Sequence, residues 1–250
     1  MKSDCTYLKR MSICGLVGLG LVFSIAPAIL ASAAPPGRLI PATHVIFDYD
    51  VRDLDATEWL GLFQTDDGYA LRPVTPSVAV VPYEPYEMEG DEPMGRVVTV
   101  ANEGPQPRFL FAGLPALTAG PIVTLFDGSS GLPPGGLTLG QPDMLLGVLL
   151  AEGTPLGTQR DSYANYSLTL SRWEDGQQQR QVLVEAAETY YRVPWLFWAG
   201  DIDGDGKMDL IIDPQTNIEG SASLLQLYLS TMAAEGELVG LAAEIGYGGC

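Results

Sequence analysis

Short runs of alternating apolar and polar residues, joined by turn residues, dominate this chain. The stretch "EWLGLFQTDDGYALRPV" holds two such runs that meet at residues 65–68, and "YSLTLSRWEDGQQQRQVLVE" repeats the design with Asp175 and Gly176 at its turn. Glycine at these turns supplies the positive φ that tight hairpins require. Long amphipathic helical patterns are nearly missing, and 29 Gly and 19 Pro interrupt the sequence. These features predict an all-β protein with antiparallel, β-sandwich-like sheets.

Other segments are predicted as a strand and two loops. Residues 44–51 alternate as a strand, whereas residues 81–95 and 127–136 are rich in residues that interrupt β ladders and are predicted to be loops or linkers. A group of acidic residues on and after the strand is interpreted as a solvated face, with a second cation site as the alternative. Its members are Asp48, Asp50, Asp53 and Asp55.

The first 33 residues have the pattern of an export signal. Lys2, Lys9 and Arg10 precede an apolar segment that ends in the small residues "ILASAAPP". This order is typical of a secretory signal peptide, with cleavage expected after Ala33; a retained anchor is the alternative. We therefore expect a secreted or periplasmic protein with a β-rich domain over residues 34–193. A C-terminal module over residues 194–250 follows, either separate from that domain or continuous with it.

Charge and composition restrict the possible partners and chemistry. Removing residues 1–33 takes away three basic residues and Asp4, which leaves 10 basic and 30 acidic residues and a formal charge of about −20. Such a charge repels nucleic acid and anionic membranes, so neither is an expected partner. Cys250 is the only cysteine after the signal, so no intramolecular disulfide is expected. The single histidine, His44, is interpreted as a strand residue or part of a frayed terminus; carboxylate-based glycoside hydrolysis stays open.

The most specific motif is "GDIDGDGKMDLIID", residues 200–213. Calcium takes six to eight oxygen ligands, so a local site needs carboxylates at alternate positions in a chain that turns tightly. The alternating aspartates supply the carboxylates, and Gly206 allows the turn. The predicted ligands are Asp201, Asp203, Asp205, the backbone carbonyl of Lys207, and Asp209. Calcium is favoured over magnesium, which demands stricter octahedral geometry, and over zinc, which prefers His and Cys.

The flanks of this motif indicate which kind of calcium loop it is. A helix-loop-helix site has a bidentate Glu at its twelfth position, where this chain has Ile212. The preceding "VPWLFWAG" and the following "LII" are aromatic and β-branched, which favours strands on both sides. Asp213 is interpreted as a turn initiator before Pro214, with a late ligand as the alternative.

The stretch "GDIDGDGKMDLII" resembles the calcium loop of FG-GAP and VCBS-type repeats, in which Asp-x-Asp-Gly-Asp-Gly-x-x-Asp-Leu leads into a strand. The downstream "LLQLYLS" and "GELVGLAAEIGY" resemble the C-terminal module of exported bacterial proteins with one such loop. The resemblance covers about 55 residues, from Trp195 to the end, and implies calcium binding. Repeats of this family usually occur many at a time and build a propeller, whereas this chain has one copy.

Aromatic residues crowd the approach to the loop, namely Tyr190, Tyr191, Trp195, Phe197 and Trp198. Core packing beneath the loop is the expected role, and a carbohydrate platform is the alternative. Together these observations predict an exported calcium-binding β protein with a structural or binding role and no catalysis. The alternative function is a carbohydrate-binding or glycoside-active module, and the possible partners besides calcium are a glycan or a surface protein.

Overall fold

The computed structural model describes residues 35–46, 54, 58–82, 94–101, 104–141, 144–174, 176–217 and 223–247. Four predictions therefore lie wholly or mostly outside the described residues: the signal segment, residues 47–51 of the predicted strand, the acidic group from Asp48 to Asp55, and most of the loop predicted over residues 81–95. Residues 34–250 form one compact unit. None of the helices in the described part of the chain is long and apolar enough to cross a membrane.

Strands account for most of the described chain. Their bounds are β1 Arg38–Pro41, β2 Val45–Ile46, β3 Trp59–Thr65, β4 Gly68–Val74, β5 Pro76–Pro82, β6 Met94–Val100, β7 Phe109–Ala112, β8 Gly120–Gly131, β9 Gly135–Gln141, β10 Met144–Pro155, β11 Tyr163–Glu174, β12 Gln177–Glu188, β13 Trp195–Asp201, β14 Asp209–Asp213, β15 Ser223–Leu229 and β16 Gly240–Tyr247. A 3-10 helix spans Ser230–Met232 between β15 and β16.

Both predicted hairpins are confirmed. Strands β3 and β4 pair antiparallel up to Thr65 opposite Gly68, whose φ is 127°. Strands β11 and β12 pair up to Glu174 opposite Gln177, and Gly176 in their turn has a φ of 76°. Each glycine thus occupies a backbone conformation that other residues rarely adopt, which is why the turn forms at that position.

Within the described residues the strands form three antiparallel sheets, which confirms the all-β prediction. The largest has nine strands in the order β1-β7-β3-β4-β8-β13-β14-β15-β16. Its two ends meet, because the Gly37 amide donates a 2.9 Å hydrogen bond to the carbonyl of Ala242. The sheet is therefore nearly closed, like a barrel, and the predicted sandwich-like arrangement is wrong for it. Accumulated strand twist brings the ends of so long a sheet together, and closure leaves few backbone groups unpaired.

Two hydrophobic clusters cover the central strands from opposite sides. Trp198 of β13 and Ile211 of β14 belong to the cluster that also contains the buried residues of β3 and β7. Leu196 and Leu210, which point the other way, belong to a cluster shared with the four-stranded sheet β12-β11-β10-β9. Both faces of β13 and β14 are consequently buried, so the loop that joins them starts and ends on well-packed backbone. The remaining sheet is β2-β6-β5.

Residues 127–136 differ from the predicted loop. Strand β8 continues to Gly131, with Ser130 opposite Leu196 and Asp127 opposite Trp198, and β9 begins at Gly135. Pairing with β13 overrides the low strand propensity of this Gly- and Ser-rich stretch. The predicted boundary between residues 193 and 194 lies between β12 and β13, and β13 joins the same sheet as β8.

Candidate metal centre

The aspartate motif forms the connection between β13 and β14, as the flanking sequences predict. Strand β13 ends at Asp201 and β14 begins at Asp209, and the two strands pair antiparallel in the middle of the nine-stranded sheet. Gly204 and Gly206 have φ values of 78° and 80°. These left-handed conformations turn the chain back on itself and strain any residue with a Cβ.

Three carboxylates converge in this connection. Asp201, Asp203 and Asp209 each offer one oxygen, and these oxygens all lie within 4.8 Å of one another. The side chain of Asp209 is fully buried, Asp201 is 8% exposed, and Asp203 is half-buried. The cluster could hold a metal ion, and its all-oxygen character suits a hard cation.

Backbone amides orient the two buried carboxylates. The oxygens of Asp201 accept hydrogen bonds from the amides of Gly204 at 2.7 Å and Gly206 at 2.9 Å, so the loop wraps around this side chain. One oxygen of Asp209 accepts from the amides of Ile202 at 2.7 Å and Asp203 at 3.3 Å. These bonds fix the directions of the carboxylates before any ion arrives, which reduces the ordering cost of binding.

Without a cation, burial and mutual repulsion disfavour the negative charges of this cluster. Burial raises the pKa of Asp209 well above its ordinary value, and the charge of Asp203 raises it further. Burial also raises the pKa of Asp203, with a smaller contribution from Asp205. Two unit charges about 4.8 Å apart repel by roughly 3.5 kcal/mol at an effective dielectric constant of about 20. None of the ion pairs between described residues involves these carboxylates, so a bound cation would supply the missing positive charge.

The other two predicted ligands lie outside this group of three. The exposed Asp205 accepts a hydrogen bond from the Lys207 amide at 2.8 Å through one oxygen. Through its other oxygen it accepts from the Ser230 hydroxyl at 2.7 Å. Asp205 and the carbonyl of Lys207 therefore stay predictions as ligands, while Asp201, Asp203 and Asp209 are brought together.

Two residues that the sequence did not single out contact the aspartates. Ser230 donates its amide to Asp209 at 2.8 Å and its hydroxyl to Asp205 at 2.7 Å. The Thr231 hydroxyl donates to Asp203 at 2.6 Å. They lie more than 20 residues downstream, in the 3-10 helix after β15, and no local pattern links them to the loop. Only the pairing of β15 with β14 brings them there.

Asp213 has a separate environment at the far end of β14. Its buried carboxylate forms an ion pair with Arg192 and accepts a 2.9 Å hydrogen bond from the Gln215 amide. The bond to the residue two positions on is the geometry of an Asx turn, which agrees with the turn-initiator interpretation. Burial raises the pKa of Asp213, and its bonds to Gln215 and Arg192 oppose that shift.

The aromatic residues before the loop divide into buried and exposed groups. Trp198 is fully buried, and Phe197 packs against the same cluster, so core packing explains both. Tyr190 and Tyr191 are 43% and 46% exposed, with ring centroids 4.7 Å apart in an edge-to-face contact. The single histidine, His44, lies exposed in the turn between β1 and β2, with its Nδ1 atom 3.1 Å from the Ala42 carbonyl oxygen.

In comparisons with known proteins, the chain matches no family model, no curated protein sequence and no solved structure. The features of the chain itself, an all-β antiparallel fold and a partly buried cluster of three aspartates, are therefore what supports a function.

Proposed function

We propose that this chain is an exported calcium-binding β protein in which one ion holds the β13–β14 connection, with a structural or binding role and no catalysis. The convergence of Asp201, Asp203 and Asp209 within 4.8 Å is the observation that carries the proposal. The likeness of "DIDGDGKMDLII" to FG-GAP and VCBS-type calcium loops points the same way. The pattern of residues 1–33 supports export.

Calcium fits this cluster better than the common alternatives. The converging groups are carboxylate oxygens, which are hard ligands, and Asp205, the Lys207 carbonyl and water can complete a coordination number of six to eight. Calcium accepts the irregular angles of such a set, whereas magnesium demands near-ideal octahedral geometry at shorter distances. Zinc favours imidazole and thiolate groups, which the loop lacks.

A bound ion would stabilise the centre of the largest sheet. The carboxylates sit at the end of β13, in the loop and at the start of β14, so one ion joins three points of the chain. At a free calcium concentration of about one hundred times Kd, binding adds roughly 2.7 kcal/mol to the free energy of unfolding. That amount is a large share of a typical total of about 5 to 15 kcal/mol.

Calorimetric titration with calcium tests the proposal. We expect the wild-type protein to bind one ion, and Asp203→Ala to abolish or strongly weaken binding. Asp67→Ala is the matched control, because Asp67 is an exposed aspartate in the β3–β4 turn and does not belong to the group of three converging carboxylates. A wild-type protein that gives no heat with calcium in the millimolar range would contradict the proposal.

Carbohydrate binding is the second candidate function, and the exposed pair of Tyr190 and Tyr191 favours it. Tyr191 has a φ of 55°, which is rare for an aromatic residue, and such strained residues cluster at functional sites. Exposed aromatic rings with polar edges suit the apolar faces and hydroxyls of a sugar. Glycan-array binding that Tyr190→Ala and Tyr191→Ala each abolish would support this function. Trp173→Ala, at another exposed aromatic residue, is the control.

A further inference from the structure

Two adjacent hydroxyl residues tie the aspartate loop to a distant part of the chain. The Thr231 hydroxyl donates to Asp203 at 2.6 Å, and the Ser230 hydroxyl donates to Asp205 at 2.7 Å. The Ser230 amide donates to the fully buried Asp209 at 2.8 Å. Three of the loop's aspartates thus each have a partner in one turn of 3-10 helix.

The position of this turn is set by strands rather than by the loop. It directly follows β15, which pairs with β14 through Leu210 opposite Tyr228 and with β16 along its whole length. On its other side the turn packs against Gly240, where an added Cβ would lie 2.0 Å from the carbonyl oxygen of Met232. The hydroxyls are therefore presented to the aspartates by the packed β15–β16 hairpin.

We infer that Ser230 and Thr231 are positioning residues of the metal centre, and that the centre is assembled from the β13–β14 loop and the β15–β16 hairpin together. The inference rests on the proposed function, because it concerns the affinity of the same site. Each hydroxyl holds a carboxylate in one orientation, so the aspartate does not need to give up side-chain freedom when the ion binds. Outer hydrogen-bond partners of metal ligands typically contribute about 10- to 100-fold in metal affinity.

The coupling must run in both directions. If the hairpin strengthens calcium binding, calcium binding stabilises the docked position of the hairpin by the same factor. Calcium should therefore slow the hydrogen exchange of the Ser230 amide, which donates to Asp209 and belongs to the hairpin rather than to the loop. Exchange of the Arg172 amide, in β11 of the four-stranded sheet, provides an internal reference.

The test measures calcium affinity, with calcium chloride alone as the probe, in wild type, Thr231→Val, Thr231→Ser and the pair Ser230→Ala with Thr231→Val. We expect the affinity to fall about 10-fold for Thr231→Val and up to about 100-fold for the pair, and Thr231→Ser to restore it. Thr231 is exposed, so its replacement by the isosteric Val leaves the core intact. The melting temperature in excess chelator should change little in Thr231→Val, which separates positioning from general destabilisation.

The matched control is the pair Ser77→Ala with Thr99→Val, which removes an exposed cross-strand contact between two hydroxyl side chains 3.2 Å apart in the β5–β6 hairpin. Its calcium affinity should equal that of wild type. Wild type without calcium binding would refute the proposed function itself. Wild type that binds calcium, together with Thr231 and Ser230 variants within twofold of its affinity, would overturn the inference and leave the proposed function standing.

Discussion

The replacement Asp209→Asn tests the metal centre most sharply, because it removes one charge and changes almost no volume. Asp209 is fully buried and accepts hydrogen bonds from the amides of Ile202, Asp203 and Ser230. Asparagine keeps one accepting oxygen and replaces the other with an NH₂ group, which cannot accept from the amide that it faces. In the metal-free protein this loss costs about 1 to 3 kcal/mol, and it is partly offset because the variant no longer buries a charged side chain.

Calcium adds a further difference between wild type and the variant. At a free calcium concentration of about one hundred times the wild-type Kd, the ion adds roughly 2.7 kcal/mol to the free energy of unfolding. A ligand replacement that weakens binding about 100-fold reduces this increment to about 0.4 kcal/mol, because the concentration then only equals Kd. For a domain of this size 1 kcal/mol shifts the melting temperature by about 2 to 4 °C, so the calcium-induced shift falls from about 5–11 °C to about 1–2 °C.

Thermal unfolding of wild type and of Asp209→Asn, each in excess chelator and in calcium, measures the increment that calcium adds to the stability of each protein. Asp67→Asn is the control, since it makes the same chemical change at an exposed turn residue and should keep the full calcium-induced shift. A calcium-induced shift in Asp209→Asn as large as in wild type would refute the assignment of Asp209 to the centre.

Three further predictions concern the framework around the centre. Arg192→Met removes the partner of the buried Asp213 and should lower the free energy of unfolding by about 3 to 5 kcal/mol, measured by urea denaturation, with the loss reduced when Asp213→Asn is added. Gly200→Ala should destabilise the protein by about 1 to 3 kcal/mol or prevent folding, because its Cβ would lie 2.1 Å from the carbonyl oxygen of Val123. A variant that melts at the wild-type temperature would contradict this prediction. Burial raises the pKa of Tyr166, so above pH 10 the unfolded chain loses a proton that the folded chain keeps. The free energy of unfolding should therefore fall as the pH rises from about 10, and it should fall less steeply in Tyr166→Phe.

The sequence was sufficient to predict the parts that depend on local chemistry. Glycine in the turns at Gly68 and Gly176 specifies the two hairpins, since few other residues tolerate the required φ. The loop between β13 and β14 was also predictable, because alternate aspartates with glycines between them need a tight turn, and the flanking residues favour strands. The motif accordingly includes Asp201, Asp203 and Asp209 among its predicted ligands.

The parts that depend on long-range pairing could not be predicted in the same way. Closure of the nine-stranded sheet depends on Gly37 meeting Ala242, which are about two hundred residues apart, and nothing in either segment encodes the other. The Gly- and Ser-rich end of β8 becomes a strand only because β13 lies beside it. Ser230 and Thr231 reach the aspartates through the pairing of β15 with β14, so their role in the loop has no local signature.

An anomalous difference map from crystals grown in millimolar calcium chloride tests the central claim most directly. We predict one peak among the carboxylates of Asp201, Asp203 and Asp209, with oxygen atoms at about 2.3 to 2.6 Å, and no peak there in crystals of Asp203→Ala. A wild-type map with these three side chains ordered and no anomalous peak between them would contradict the account.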